Sequence, residues 1–402
     1  MTLEIRNPAQ DELRAAMEST HVVFAEPLSD DHFARTTKVL PRERFYAAYE
    51  NGLPVGTAAD FDFRVAIPGG ELPAAGVTWV GVLPSHRRRG ILTQLMRREL
   101  DDIRERGEPL AILWASEAAI YGRFGYGIAA PIAHMNADRA RFALRDDPGP
   151  QGRAQIVPLD DALAPCREVY DKVRLTIPGF TYRPDEWWTS SRLADPEEWR
   201  RGASPKYAAV VEIDGEPAAY ALYRIKPNWE QGFSQSEVRL VEALAVGPTA
   251  ERELWRFVFG IDLIARVEGR IDPASPLFLM VVDPRSLQLR LSEGLWLRLV
   301  DLGPALAARS YAVDDEIVLD VRDEFCPWNA GRWRVGASGV ERADGDVDLA
   351  LDVADLASVY LGAFTFSRLA AAERVEEVQA GALARADALF RTARPPYCPE
   401  DF

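Results

Sequence analysis

The chain repeats itself once at a long interval, and that repeat limits what it can fold into. "YAAYENGLPVGTAA" at 46–59 returns in altered form as "YAAVVEIDGEPAAYALYRI" at 207–225. Each stretch carries a two-residue turn, Asn51-Gly52 or Asp214-Gly215, between strand-like arms. Asn-Gly and Asp-Gly tolerate positive φ at both positions, which makes them strong hairpin signals. Residues 238–262 then echo 76–100 in outline: strand, proline, helix. An interval of about 160 residues is the mark of a duplicated domain, because solenoid periods are far shorter. At 402 residues the chain is too long for one ordinary core, and two copies leave room for a third segment.

The first copy reads β-α-β-β-β-α-β-α and ends near residue 130. Residues 3–6 alternate as a strand, and "NPAQDELRAAM" reads as a capped amphipathic helix. Residues 74–83 and 109–116 read as buried strands. Between them, Ile91, Leu92, Leu95, Met96, Leu100 and Ile103 form one helical stripe. "EAAIYGRFGYG" (117–127) is a short helix broken by glycines, and "DDPGPQGR" (146–153) is a polar, turn-rich boundary. "IAHMNADRA" and "LWLRLVDLG" look alike, and the two strands could be exchanged between neighbouring domains. The last hundred or so residues turn to short strands followed by helices, an α+β pattern.

The two copies differ at one place. The first has "PSHRRRGILT" where the second has "PTAERELW", so the second lacks the arginine cluster and the glycine after it. A helix N-terminus presents unpaired N–H groups and about half a positive charge. Arginines there are at the wrong end of the dipole unless an anion is present. Gly90 lets backbone approach such an anion, and the arginines add charge-assisted contacts suited to a pyrophosphate. The cluster stands out in a chain of 62 acidic and 47 basic residues with net charge −15. That charge argues against nucleic-acid binding through the whole surface and is compatible with a cationic substrate.

Other chemistries find no support. Cys166, Cys326 and Cys398 are widely spaced, with no disulfide or zinc pattern. His21, His32, His86 and His134 are isolated, so no metal site is expected, and neither a G-x-S-x-G nor a P-loop pattern occurs. His86, inside the turn, reads as scaffold. With no signal-peptide core and no apolar run of about 18 residues, the expectation is a cytoplasmic protein with no membrane span.

The turn Arg87, Arg88, Arg89, Gly90 is similar to the R/Q-x-x-G-x-G/A acyl-CoA signature of the GCN5-related N-acetyltransferase (GNAT) superfamily. Leu92 departs from its final Gly/Ala. The "HRRRG" and "SE-x-x-IYGRFGYG" stretches, the tandem copies and the terminal "DF" resemble the Eis (enhanced intracellular survival) acetyltransferase family, over essentially the whole chain. The resemblance implies an α+β, mixed α/β architecture. A catalytic GNAT domain at 1–145 is followed by a degenerate GNAT-like domain at 146–292 and a sterol-carrier-protein-like domain at 293–402. It also implies a homo-hexamer.

The same resemblance assigns the site. Backbone groups of Val80 and Val82 would pair with the pantetheine arm of acetyl-CoA, and the turn from Arg87 through Arg88, Arg89, Gly90 and Ile91 to Leu92 would hold the pyrophosphate. Ser116 matches a cofactor-contacting position, with a helix N-cap before Glu117 as its competing role. Tyr121, followed four residues later by Gly125-Tyr126, matches the general acid, and Tyr126 is its rival. Free tyrosine is protonated at neutral pH and can donate to a thiolate. The α-carboxylate of Phe402 would be the base. Glu26, Phe24 and Asp401 are candidates for the acceptor pocket, with Glu400 and Phe33 beside them. The expected activity is acetyl transfer from acetyl-CoA to primary amines of polycationic, aminoglycoside-type molecules, at several positions. The alternatives are protein lysines as acceptors, or a non-catalytic protein carrying an apolar ligand in its C-terminal domain.

Overall fold

The computed structural model describes residues 3–402. The chain opens with β1 (Leu3–Arg6), α1 (Leu13–Phe24), α2 (Asp30–Val39), β2 (Phe45–Glu50), β3 (Leu53–Ile67), β4 (Gly70–Val82), α3 (Ile91–Glu105), β5 (Leu110–Trp114) and α4 (Ala118–Tyr121). This is the order read from the sequence, with α2 as an additional helix. No side chain caps α1; the Glu12 carboxylate instead accepts from the Ala9 N–H and from Arg6. Asn51 and Gly52 both have positive φ, as the hairpin requires.

The middle of the chain contains β6 (Gly127–Asp138), β7 (Arg153–Val157), α5 (Leu163–Arg174), α6 (Asp185–Trp187), β8 (Tyr207–Ile213), β9 (Glu216–Lys226), the small hairpin β10 (Trp229–Glu230) and β11 (Phe233–Ser234), β12 (Ser236–Ala245), α7 (Gly247–Gly260), β13 (Ile264–Ile271) and α8 (Leu277–Met280). Then follow β14 (Arg290–Leu299), α9 (Leu302–Ala308), β15 (Glu316–Arg322), β16 (Gly331–Gly336), β17 (Gly339–Arg342), β18 (Leu349–Asp352), α10 (Val353–Tyr360), α11 (Phe366–Ala370), β19 (Val375–Glu377) and α12 (Ala382–Phe390).

Two compact units result. One comprises the chain up to Ala130 with Gly294–Pro396 and Glu400–Phe402; the other is Pro131–Glu293 with Tyr397–Pro399. In the first unit the strand order is β1-β2-β3-β4-β5-β14, and Leu295–Leu299 of β14 pair antiparallel with β5. In the second it is β6-β13-β12-β9-β8-β7, with Ala133–Asp138 of β6 antiparallel to β13. The two similar strands are thus placed on opposite sides of the unit boundary from their neighbours in sequence.

The core of the first copy joins α3 to the sheet through Met96, Leu100, Ile103, Ala111, Leu113, Phe124 and Tyr126. The C-terminal segment completes it. Cys326 belongs to the same cluster, Phe325 stacks edge-on against Phe124 at 5.0 Å, and the Arg97 guanidinium lies 3.8 Å over Phe325. Gly125 has φ +82, and a side chain there would collide with the buried Arg298 that salt-bridges Asp323 at 2.5 Å. That segment forms its own five-stranded sheet, β17-β16-β15-β18-β19.

Candidate active site

The site begins with a defect in the sheet. Across β3 and β4, Thr57 faces Gly81 but Ala59 faces Thr78, so β4 holds an extra residue there. Trp79 lies in this bulge with φ +52. A tryptophan in the left-handed region is strained and needs local support. The Thr57 hydroxyl donates to the Trp79 carbonyl at 2.7 Å and is itself bonded to the Thr20 hydroxyl of α1, both threonines being buried. On the other side of β4, the parallel pairing with β5 covers Ala74–Gly76 against Leu110–Ile112 and ends there. Past Gly76 the two strands part. Val80 and Val82 lie in this parted stretch, half-buried against Ile91 and Leu95. Their side chains are core, and their backbone borders the gap.

The cationic turn follows directly. After a short 3-10 turn at Pro84–His86, Arg88 takes φ +62 and Gly90 φ +78. Alternating handedness of this kind turns successive N–H groups toward one point. Gly90 stands at the N-cap of α3, no side chain caps the helix, and a Cβ at Gly90 would meet open space. The first-turn N–H groups of Ile91 and Leu92 are therefore available to an anion. Arg87, Arg88 and Arg89 are exposed, but they are not equivalent. The Arg89 guanidinium forks onto the Glu50 carboxylate, and Glu50 also holds His86 Nε2 at 3.0 Å. Arg89, together with the bond to His86, keeps Glu50 below the usual carboxylate range. Arg89 thus braces the turn, leaving Arg87 and Arg88 as its outward charges.

Tyr121 ends α4 and is 5 % exposed. Burial, with Glu99 and Glu117 adding to it, pushes its pKa up to about 12, while the Ser116 hydroxyl bonded to it works the other way. It is a protonated phenol at neutral pH. Ser116 does not cap the helix; Glu117 is the N-cap residue, and no side chain makes the cap bond. Tyr126 packs edge-on to Tyr121 at 5.9 Å but is fully buried, and its hydroxyl has no hydrogen-bond partner among the described residues.

Phe402 rests on the sheet face at the point where β4 and β5 part. Its ring is edge-on to Phe63 at 5.1 Å and to Phe61 at 6.2 Å. Asp401 is exposed, whereas Glu400 is fully buried. Phe24 and Glu26 are exposed just beyond the α1 residues Thr20 and Val23, which pack over Gly81 of β4. Trp79, His21 and His32 form an aromatic group beside them, with ring centroids 5.0–5.8 Å apart.

A parted pair of strands, a bulge and an uncapped cationic helix start invite comparison with known acyltransferases. A model described as an acetyltransferase (GNAT) domain matches residues 4–129, a second GNAT model matches 179–299, and a sterol carrier protein domain matches 302–399. N-acetyltransferase Eis of Mycobacterium bovis is 30% identical over 413 residues, 98% of each chain. The chain belongs to the Eis family of GNAT N-acetyltransferases. An uncharacterised N-acetyltransferase of Streptomyces avermitilis is 44% identical over 368 residues, 90% of each chain. The crystal structure of Eis1 from Mycobacterium abscessus superposes with TM-score 0.86 and 32% identity over all of both chains. The architecture is therefore a tandem GNAT pair with a sterol-carrier-like domain, the protein is an acetyltransferase, and the GNAT fold implies acetyl-CoA as co-substrate.

Within this Eis-family enzyme the second copy carries different chemistry. β12 is also bulged, at Leu240/Glu242, and its parallel pairing with β13 covers only Ser236–Arg239. There, however, Glu242 is buried in a salt bridge with Arg183 at 2.5 Å and accepts from Tyr220, while Arg183 lies 3.9 Å over the Tyr170 ring. Two carboxylates of the first copy escaped the sequence reading. Glu50 carried no distinguishing signal. Glu99 carried one: it sits four residues from both Leu95 and Ile103, inside the apolar stripe of α3. Among the described residues no cluster could hold a metal ion, and no helix is long and apolar enough to cross a membrane.

Proposed function

We propose that this protein transfers the acetyl group of acetyl-CoA to primary amines of polycationic small molecules of aminoglycoside type, at several positions, by direct attack of the amine on the thioester. The parted β4 and β5, flanked by Tyr121 on one side and Phe402 on the other, carry this reading. Backbone groups of Val80 and Val82 align the pantetheine arm. Arg87, Arg88 and the N–H groups from Gly90 to Leu92 hold the pyrophosphate, with Arg89 bracing the turn. Ser116 orients the Tyr121 phenol. The acceptor attacks as a neutral amine; the α-carboxylate of Phe402 takes the proton that the amine nitrogen loses as the amide forms, and Tyr121 gives its proton to the departing thiolate. Phe24, Glu26 and Asp401 supply exposed aromatic and acidic groups to a cationic acceptor, in keeping with the net charge of −15. We place the enzyme in the cytoplasm, where the buried thiols of Cys166, Cys326 and Cys398 stay reduced, as a homo-oligomer of six.

The test is thiol release from acetyl-CoA with a polyamine aminoglycoside, comparing wild type with a variant extended by one glycine after Phe402. Turnover lost on extension supports the terminal base. Turnover unchanged removes it. Thiol release with lysine peptides but not with aminoglycosides would move the acceptor to protein. No thiol release with any amine would leave the binding-protein reading. Light scattering of the purified chain measures the oligomer.

A further inference from the structure

The turn that carries Tyr121 has little in its own sequence to hold it. α4 is a single helical turn, Ala118–Tyr121, followed by a 3-10 turn at Gly122–Phe124 that ends on Gly125 in the left-handed region. Helices this short persist only when packed from outside. Two bonds close the turn: the Gly125 N–H donates to the Gly122 carbonyl at 3.0 Å, and the Tyr126 N–H donates to the Tyr121 carbonyl at 3.3 Å. The backbone of Tyr121 therefore follows wherever Gly125 and Tyr126 are held.

The C-terminal part of the chain grips the far end of that turn. Arg298 of β14 is 0% exposed, and its guanidinium carbon lies 2.6 Å from the point a Cβ would occupy at Gly125. Its Nη1 donates to the Gly125 carbonyl over a long 3.5 Å, and its Nη2 salt-bridges Asp323 at 2.5 Å. Asp323 also accepts from the Cys326 N–H at 2.9 Å and from the Asn329 amide at 3.0 Å. Asn329 in turn donates to the Leu299 and Val300 carbonyls at the end of β14. Phe325 meets Phe124 edge-on and is covered by the Arg97 guanidinium. α10 closes another side: a Cβ at Gly125 would crowd Val353, and one at Gly127 would overlap the Ala354 carbonyl and the Ser358 hydroxyl.

We propose that the hook Asp323–Asn329, together with Arg298, is a positioning element for Tyr121: it clasps Phe124 and Gly125 and so fixes where the phenol stands. Asp323, Phe325 and Asn329 lie in the stretch matched by the sterol carrier protein model, so this domain serves the acetyl transfer by bracing the acid. A buried ion pair contributes little more to stability than apolar groups of similar volume, but it constrains geometry. A general acid must stand within hydrogen-bond reach of the atom it protonates, and a displacement of about 1 Å can cost about 100-fold. The hook acts through the turn, not on the reacting atoms.

The inference rests on the proposed role of Tyr121, and a double-mutant cycle separates the two. Thiol release with a polyamine aminoglycoside is measured for wild type, Tyr121→Phe, the pair Arg298→Met with Asp323→Asn, and the three changes together. The pair removes both charges, and the remaining amide oxygen can still accept from the Cys326 N–H. Phe325→Leu, with and without Tyr121→Phe, repeats the cycle with the ion pair intact. Circular dichroism reports that each protein is folded. With Tyr121 present, the charge-removing pair lowers kcat about 10-fold or more and Phe325→Leu several-fold, with KM for acetyl-CoA within about 2-fold. In the Tyr121→Phe background the same changes alter the residual kcat less than about 2-fold, because there is no acid left to misplace. A purely structural role lowers kcat by the same factor in both backgrounds, and that result, or unchanged kcat in the folded variants with Tyr121 present, would overturn the hook alone. Wild-type turnover in Tyr121→Phe would overturn the acid and the hook together. No turnover in wild type with any amine would overturn the acetyl-transfer reading beneath both.

Discussion

The ring edge of Phe402 lies 3.3 Å from the point a Cβ would occupy at Gly76, the residue where β4 and β5 cease to pair. The last residue of the chain is therefore seated against the origin of the parted strands. The same Cβ would overlap the Phe63 ring, which packs on Phe402. Gly76→Ala must displace both rings, costing about 1–3 kcal/mol of stability. A shift of about 1 Å in a reacting group can cost about 100-fold. Expected: kcat falls on the order of 10–100-fold at a temperature where circular dichroism still reports folded protein. Unchanged kcat would separate the terminus from the chemistry.

Tyr121 and Tyr126 are rivals in sequence but not in environment. Tyr121 is bonded to Ser116 and reaches the surface at 5% exposure, whereas the Tyr126 hydroxyl is buried with no hydrogen-bond partner among the described residues. Tyr121→Phe removes the proposed general acid and lowers kcat about 100-fold or more, with KM for acetyl-CoA little changed. Tyr126→Phe removes an unsatisfied buried hydroxyl, so thermal stability holds or rises while kcat drops only several-fold. The reverse ranking would make Tyr126 the acid.

What the sequence revealed and what it hid divide along physical lines. Asn51-Gly52 and Asp214-Gly215 were legible because their turn needs positive φ at adjacent residues, a local demand met by few residue types. The helix after Gly90 was legible from its apolar stripe. Trp79 was not, because its positive φ is imposed by Thr20 and Thr57, distant in sequence. Ser116 was left between two roles; the N-cap falls to Glu117, and the bond that Ser116 makes to Tyr121 could not be read from the sequence. The additional helix α2 carries a single buried residue, Thr36, so it leaves almost no periodic signal. Glu50 was one carboxylate among 62 acidic residues until the fold brought it under Arg89 and His86.

That bracing has a pH dependence. The Glu50 carboxylate is depressed by its bonds to Arg89 and His86. A depressed carboxylate contributes order that is fully present above its unfolded value of about 4.3 and is lost as pH falls through the lower folded value. Acetyl-CoA affinity measured by titration calorimetry should therefore weaken at the acid end in wild type. Glu50→Gln should bind several-fold more weakly at neutral pH and show a flatter acid limb. Equal affinity in the two proteins would show that the turn orders itself without Glu50.

The second copy retains a bulged β12 but fills its interior with the Arg183–Glu242 pair, and the consequence is measurable. Both side chains are at most 2% exposed, Tyr220 donates to Glu242, and Arg183 is stacked over Tyr170 and Trp188. Burial works against the ionised Glu242, yet Arg183 and Tyr220 hold it below the usual carboxylate range. Removing one partner strands the other charge, so Glu242→Ala should destabilise the fold by about 3–5 kcal/mol. Replacing the pair together, as Arg183→Met with Glu242→Leu, should recover most of that loss, because a buried ion pair is worth little more than well-packed apolar groups of similar volume. Denaturant unfolding of the two variants checks the ranking. Neither change touches the turn at 86–92, so acetyl-CoA affinity in the fraction that stays folded should match wild type. A weakened affinity in the stable double variant would mean that the second copy shapes the cofactor site directly.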